Sequence, residues 1–323
     1  MTSDTRAPHL RFRFADIELS VEAGEALRRE FFLLFGPGES SGAARSRVTA
    51  RVVTGTDMGA LTVDGDDLAD FPDFLLRLAV ADAPLETHGS SNGETVVALD
   101  GQPVFFCTRG EVRFRLIPRW PRVLSHILFY RMIAGRPDLM LFHAAAVGMS
   151  GRAVLLAGPK GRGKTTLSMA LAARGHLFLG DETAVVDPSA KLVFPFRRPV
   201  AIKRGPAAAA VERALAAMTA SFDDDGLFRT PIETVLPVAG SRPLPLGAIV
   251  LLDGFGSRPG ALEVPAGRRE LAGLQPLPVS LAPHNLTRRV FEMVQLLASV
   301  KIHRLIAGTP DATAAYLEEI LCT

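Results

Sequence analysis

Cysteine is nearly missing from this 323-residue sequence: Cys107 and Cys322 stand far apart, in no Cys-x-x-Cys or Cys/His spacing that could hold zinc. A disulfide framework and a zinc module are thereby excluded, and a reducing, cytoplasmic setting is expected. Long apolar runs are lacking too. Stretches such as 153–157 and 248–252 fall far short of the roughly 20 residues a membrane-spanning helix needs. Charges at Asp4, Arg6, Arg11, Arg13, Asp16 and Glu18 interrupt the N-terminal region, so neither a membrane span nor a signal peptide is expected. Charge of one sign is also scarce: 36 Lys and Arg against 34 Asp and Glu leave a net charge of +2, too little to draw in nucleic acid or anionic lipid. Any phosphate chemistry must come from a local site.

What is present is apolar residue, 48% against 22% charged, enough to build one large core or two ordinary ones. Short alternating segments between Leu10 and Phe114, broken by Gly, Asp, Asn and Pro, predict an antiparallel β-rich region with turns at SSNGE (90–94) and LDGQP (99–103). The small polar stretch 37–45 reads as a loop, and helical spacing over 122–133 predicts a helix stopped by Gly135 and Pro137. The texture then changes to alternating strand and helix. Two domains are expected: residues 1–138 as a β-rich accessory or substrate-recognition domain, and residues 139–323 as an α/β domain. In the second, a strand is predicted over LPLGAIVLLD, a helix over TRRVFEMVQLLASV, a strand over KIHRLIAG and a last helix over DATAAYLEEIL with Asp311 near its N-cap.

Within the α/β region, residues 158–165 (GPKGRGKT) satisfy G-x-x-x-x-G-K-[ST], with an apolar strand before them and a helix of good helix formers after, ending at Gly175. The context matters more than the string. Glycines let backbone N–H groups turn inward around phosphate oxygens, and the helix N-terminus adds partial positive charge. The expected nucleotide-binding residues are Gly158, Pro159, Lys160, Gly161, Arg162, Gly163, Lys164, Thr165 and Thr166. Lys164 suits the β- and γ-phosphates of ATP, and the Thr165 hydroxyl suits Mg²⁺. Lys160 and Arg162 either add to the phosphate field or point into solvent.

A strand's length beyond the loop helix, Asp181 and Glu182 interrupt an apolar stretch. Buried charge there needs a cation or hydrogen bonds to offset it, and Mg²⁺ is the natural one; the alternative is a solvated turn at a strand end. One acid is assigned to metal and one to proton transfer, since neighbours on a strand face opposite ways. His143, at a strand start, is read as a structural hydrogen-bonder or a site residue. The acidic run 223–225 reads as a solvated loop, Asn285 beside His284 as a helix cap, and Trp120 as a packing residue.

The stretch LFHAAAVGMSGRAVLLAGPKGRGKTTLSMALAARGHLFLGDETAVVD resembles the catalytic domain of HPr kinase/phosphorylase, and more closely the shorter HPr-kinase-related proteins associated with peptide modification. The matching elements are His143, the loop 158–165, Arg174-Gly175-His176 and Asp181-Glu182. The resemblance implies a fold like that of phosphoenolpyruvate carboxykinase, with the phosphate loop on a mixed sheet. It also implies ATP- and Mg²⁺-dependent phosphorylation of a serine hydroxyl, with Asp181 as base and Glu182, with Thr165, on the metal. It places His143 at the site. In FPFRRPVAIKRG it makes Arg198 and Lys203 candidates for neutralising charge during transfer, against the alternative of a solvated basic strand. The acidic pair is Asp-Glu where HPr kinases have Asp-Asp, and the signature that accompanies phosphorylase activity is missing, so the resemblance does not extend to phosphorolysis or to HPr as substrate. The expected partner is a peptide or small protein, with a homo-oligomer compatible. The same loop would equally serve an ATP-binding switch or a kinase of a small metabolite hydroxyl.

Overall fold

The structure is a computed structural model that describes residues 9–14, 17–22, 46–52, 85–89, 95–99, 102–107, 111–114, 136, 138–203, 227–236, 240, 242–276 and 286–322. The sequence features at 37–45, 122–133 and 223–225, and at Trp120, His284 and Asn285, lie outside those residues. The chain divides near residue 138 into two units.

The first unit holds one seven-stranded sheet of β1 (His9–Phe14), β2 (Ile17–Glu22), β3 (Ser46–Val52), β4 (Leu85–Gly89), β5 (Thr95–Leu99), β6 (Gln102–Cys107) and β7 (Glu111–Phe114), in the order β1-β2-β3-β7-β6-β5-β4. Period-two patterning builds it: Ile17, Leu19 and Val21 are buried while Glu18 and Ser20 between them are not. β4 pairs antiparallel with β5 and β5 with β6, as expected of strands on either side of SSNGE and LDGQP, whose turn residues 90–94 and 100–101 lie outside the described residues. The sheet is not wholly antiparallel, however. β2 pairs parallel to β3 and β3 parallel to β7, because the chain between these strands is long enough to cross over.

The second unit is α/β, its strands in a mixed sheet. In chain order come β8 (Met140–Phe142), β9 (Ala144–Met149), β10 (Arg152–Ala157), helix α1 (Lys164–Ala173), β11 (Leu177–Gly180), β12 (Ala184–Asp187), β13 (Leu192–Phe194), β14 (Val200–Lys203), β15 (Leu227–Thr230), α2 (Ile232–Val235), β16 (Leu244–Phe255), β17 (Gly260–Val264), α3 (Arg268–Leu274), α4 (Leu286–Ala298), β18 (Lys301–Ala307) and α5 (Pro310–Leu321). β14 and β15 form a separate antiparallel pair. The other nine strands form one sheet, in which β10 lies between antiparallel β9 and parallel β16, β11 flanks β9, and β18 flanks β16.

Both faces of this sheet are covered, which is why its central strands are continuous apolar runs. On one face Val147, Leu156, Val250 and Leu305 pack against Leu167 and Leu171 of α1 and Ala314 and Leu317 of α5. On the other, Leu155, Ile249, Leu251 and Ile302 pack against Leu274 of α3 and Met293, Leu296 and Leu297 of α4. Among the described residues no helix is long and apolar enough to cross a membrane.

α5 is capped by Thr309, whose hydroxyl accepts from the Ala312 amide at 3.4 Å, and Asp311 stands near that cap, in the first turn. α1 ends as its sequence predicts, at a left-handed Gly175 with φ of 97°. The flanking residues then tie it to α5: Arg174 Nε donates to Glu318 at 2.8 Å, and His176 Nε2 lies 2.8 Å from the same carboxylate. Arg174's hydrogen bonds hold the Glu318 carboxyl down at about 2. The Arg-Gly-His turn is therefore a tether between helices.

Gly180 closes β11 where the chain has no room for a side chain: a β-carbon there would lie 2.8 Å from the Phe196 carbonyl oxygen and 3.2 Å from that of Thr183. Both obstacles are backbone, so neither can swing aside. Gly180→Ala is expected to destabilise the protein by about 1–3 kcal/mol, measured by urea unfolding; an unchanged midpoint would show that the turn beyond β11 yields freely.

Candidate functional site

β10 ends at Ala157, and the next six residues turn through a loop in which Gly158, Gly161 and Gly163 take φ of 141°, 84° and 88°. Glycine alone adopts these values without strain. The loop also presses against the neighbouring strand, because a β-carbon on Gly158 would sit 2.9 Å from the Leu252 carbonyl oxygen. Gly163 occupies the N-cap of α1 with no side-chain cap, and no acidic residue stands in the first turn. The N-cap of α1 thus offers its first amides no side-chain acceptor, and its own first turn holds no acid to offset the positive end of the helix dipole. That is an anion site in waiting.

Lys164 is buried and folded back over this loop, its Nζ donating to the Gly158 and Pro159 carbonyls at 2.7 and 3.2 Å. Burial lowers its pKa, with Asp181 and Glu182 pulling the other way. Pro159, Lys160, Gly161 and Arg162 are exposed, while Thr165 and Thr166 are half-buried on the first turn of α1.

Facing Lys164 is the acidic pair. Asp181 is 5% exposed, and neither carboxylate oxygen has a hydrogen bond of regular geometry. Burial, and then the Glu182 charge, push its pKa up to about 6, while the Thr165 hydroxyl, the Glu182 amide and the Lys164 ammonium offset part of the shift. The two acids do not continue a strand. β11 ends at Gly180, and the Thr183 amide donates to the Asp181 carbonyl at 2.7 Å, closing a three-residue turn around Glu182 at φ of 60°. A positive φ at a non-glycine residue is strain of the kind that surrounding structure must hold in place. The turn drives Asp181 inward and leaves Glu182 exposed.

His143 completes the group from the bend between β8 and β9. Its backbone is held by Gln275, and its Nδ1 lies 3.2 Å from the Glu182 carbonyl. A carbonyl can only accept, so Nδ1 carries the proton and Nε2 is left as an acceptor in the neutral ring. Burial first, then the Lys164 charge, lower the His143 pKa, keeping the ring neutral near pH 7.

The structure therefore gathers Lys164, Thr165, Asp181, Glu182 and His143 around one loop. Arg198 is half-buried two residues beyond Phe196, which bridges Gly180 in parallel, so the basic segment runs beside the acidic turn. Its neighbour Arg197 forms an ion pair with Glu233 of α2. Lys203 ends β14, paired through its backbone with Leu227.

Sequence reasoning passed over Asp253, which follows the apolar run of β16 two residues beyond the partner of Ala157. Its carboxylate is held by Arg304, at 2.6 Å from Nε, and lies 3.7 Å from Arg269. The signal was there in AIVLLD, an aspartate closing a buried apolar run.

Among the described residues no three His, Cys, Asp or Glu side chains form a metal-ligand cluster. Mg²⁺ does not require one: it binds through one or two carboxylates together with phosphate oxygens and water. The two Asp181 carboxylate oxygens, which have no hydrogen bond of regular geometry among the described residues, with the adjacent Glu182 and the Thr165 hydroxyl, fit that requirement. The sequence matches no known protein-family model, and a search of curated proteins finds no relative.

The raised Asp181 pKa has a consequence for the metal-free protein. Ionised Asp181 disfavours the folded state, so its penalty is absent below about 4, grows between 3.8 and about 6, and is full above 6. By the shift it is worth about 3 kcal/mol. Asp181→Asn is expected to raise the thermal midpoint in chelator at pH 7.5, with the gain vanishing at pH 4; a variant less stable than wild type at pH 7.5 would contradict this.

Proposed function

We propose that the second unit is an ATP- and Mg²⁺-dependent kinase of the HPr-kinase-like type, transferring the γ-phosphoryl group to a hydroxyl, a serine of a peptide or small protein. The observation that carries the proposal is the buried Asp181 carboxylate, which has no hydrogen bond of regular geometry among the described residues and faces Lys164 beside a helix N-terminus whose N-cap is a glycine. A structural ion pair would satisfy such a carboxylate. A carboxylate that must receive a proton, or accompany a charged substrate, is held ready instead.

In this reading the loop amides and Lys164 cradle the triphosphate, Lys164 exchanging its loop carbonyls for phosphate oxygens. Thr165 and Glu182 would hold Mg²⁺, which would supply neutralisation of phosphate charge when bound. The acceptor oxygen bonds to the γ-phosphorus as the bond to the β–γ bridging oxygen breaks, and ADP leaves. The hydroxyl proton passes to Asp181, whose pKa of about 6 suits a base working near neutrality. His143 orients the acidic turn through the Glu182 carbonyl. Arg198, beside that turn, and Lys203 are assigned to the charge that develops on transfer. A fold of the phosphoenolpyruvate-carboxykinase kind is supported by the loop strand β10 standing between one antiparallel and one parallel neighbour.

One observation favours a variant of this scheme. The Thr165 hydroxyl is near enough to Asp181 to lower its pKa, which suits Asp181 as the metal-side acid and the exposed Glu182 as base. The two assignments separate by experiment. With labelled ATP and a panel of serine peptides, Asp181→Asn is expected to cut transfer at least 100-fold while ATP affinity in Mg²⁺ changes less than threefold. A large loss of Mg²⁺-dependent ATP affinity would exchange the roles, and undiminished transfer would remove Asp181 from the chemistry. Lys164→Ala is expected to weaken ATP binding by 10-fold or more, on the order of a buried charge-assisted hydrogen bond, as measured by calorimetry.

A further inference from the structure

We infer that Phe255 is the platform on which the base of the bound nucleoside triphosphate stacks, so that the nest is built for a nucleotide and not for a bare polyphosphate. This rests on the triphosphate reading of the loop. The loop strand β10 has two unlike flanks. Beyond β9 on one side, β11 delivers Asp181 and Glu182, with His143 beside them; on the other side lie the ends of parallel β16 and β18. A triphosphate with its terminal phosphate at the acids must carry its nucleoside toward the second flank.

Phe255 stands there. It is the last residue of β16 and is 62% exposed. Its register partner is Ala307, two residues along β18 from Leu305, whose side chain packs with α1. Phe255 therefore lies on the α1 face of the sheet, since residues two apart on a strand share a face. A β-carbon on Gly163 would come within 3.6 Å of two of its ring carbons. The ring thus lies beside the glycine that opens the loop helix, close enough that a side chain there would pack on it, and most of its surface is open to solvent. A single exposed phenylalanine means little by itself; one placed at the mouth of a phosphate nest, on the flank away from the acids, is positioned for a planar ligand. Stacking needs only a π-face, which every nucleobase offers, so ATP and GTP are expected to be held with similar affinity.

Calorimetry on the full chain in Mg²⁺ tests this with three ligands: ATP, GTP and inorganic tripolyphosphate. Phe255→Ala is expected to weaken ATP and GTP alike, on the order of 10-fold, and to leave tripolyphosphate affinity unchanged, with Phe255→Tyr restoring nucleotide binding. Wild-type ATP affinity in Phe255→Ala would overturn the inference while leaving the nest intact. Equal losses for ATP and tripolyphosphate, at an unchanged thermal midpoint, would also overturn it, showing that the ring supports the loop. Wild-type protein that binds none of the three would remove the triphosphate reading itself, and the platform with it.

Discussion

A carboxylate kept out of water opposite an ammonium that spends its hydrogen bonds on its own loop is the constraint around which the second unit is organised. Neither Asp181 nor Lys164 is in its most stable setting: burial raises the pKa of one and lowers that of the other. Each charge tempers the other's desolvation without a direct hydrogen bond between them. Such an arrangement has a free-energy cost, and it persists because the elements carrying the two groups are fixed by apolar packing on both faces of the sheet.

The fold supplies that rigidity from several directions. β10 and β16 run parallel and bury continuous apolar runs, so the loop leaves the sheet at a defined height, against the Leu252 backbone. Gly180 and Phe196 close on each other with no space between them, which fixes where β11 stops and where the acidic turn begins. His143 then reaches that turn from a different strand pair. Three separate segments converge on a site that none of them could form alone.

Much of this was legible in the residues. The loop and its helix could be read because glycine spacing, an apolar strand and a run of helix formers are local signals that tertiary context did not override. The antiparallel pairing of β4 with β5 and of β5 with β6 was legible for the same reason. Strand direction was not: nothing in the alternating residues of β2, β3 and β7 distinguishes a parallel neighbour from an antiparallel one, since that depends on where the connecting chain goes. The acidic pair was visible as chemistry, but its division into an inward Asp181 and an outward Glu182 depends on a positive φ at Glu182, in a tight turn that His143 contacts from a strand pair distant in sequence. Thr309 was overlooked as a cap because Pro310 intervenes before the predicted helix. Phe255 carried no signal, as an aromatic at the end of an apolar strand looks like core until the strand is seen to outrun its cover.

The tether from Arg174 and His176 to Glu318 joins residues more than 140 positions apart. Closing so long a segment costs chain entropy before any contact repays it. The C-terminal end of the helix bearing the phosphate loop therefore gains this added support only once two segments far apart in the chain have met, on top of the packing that already holds its apolar face to the sheet.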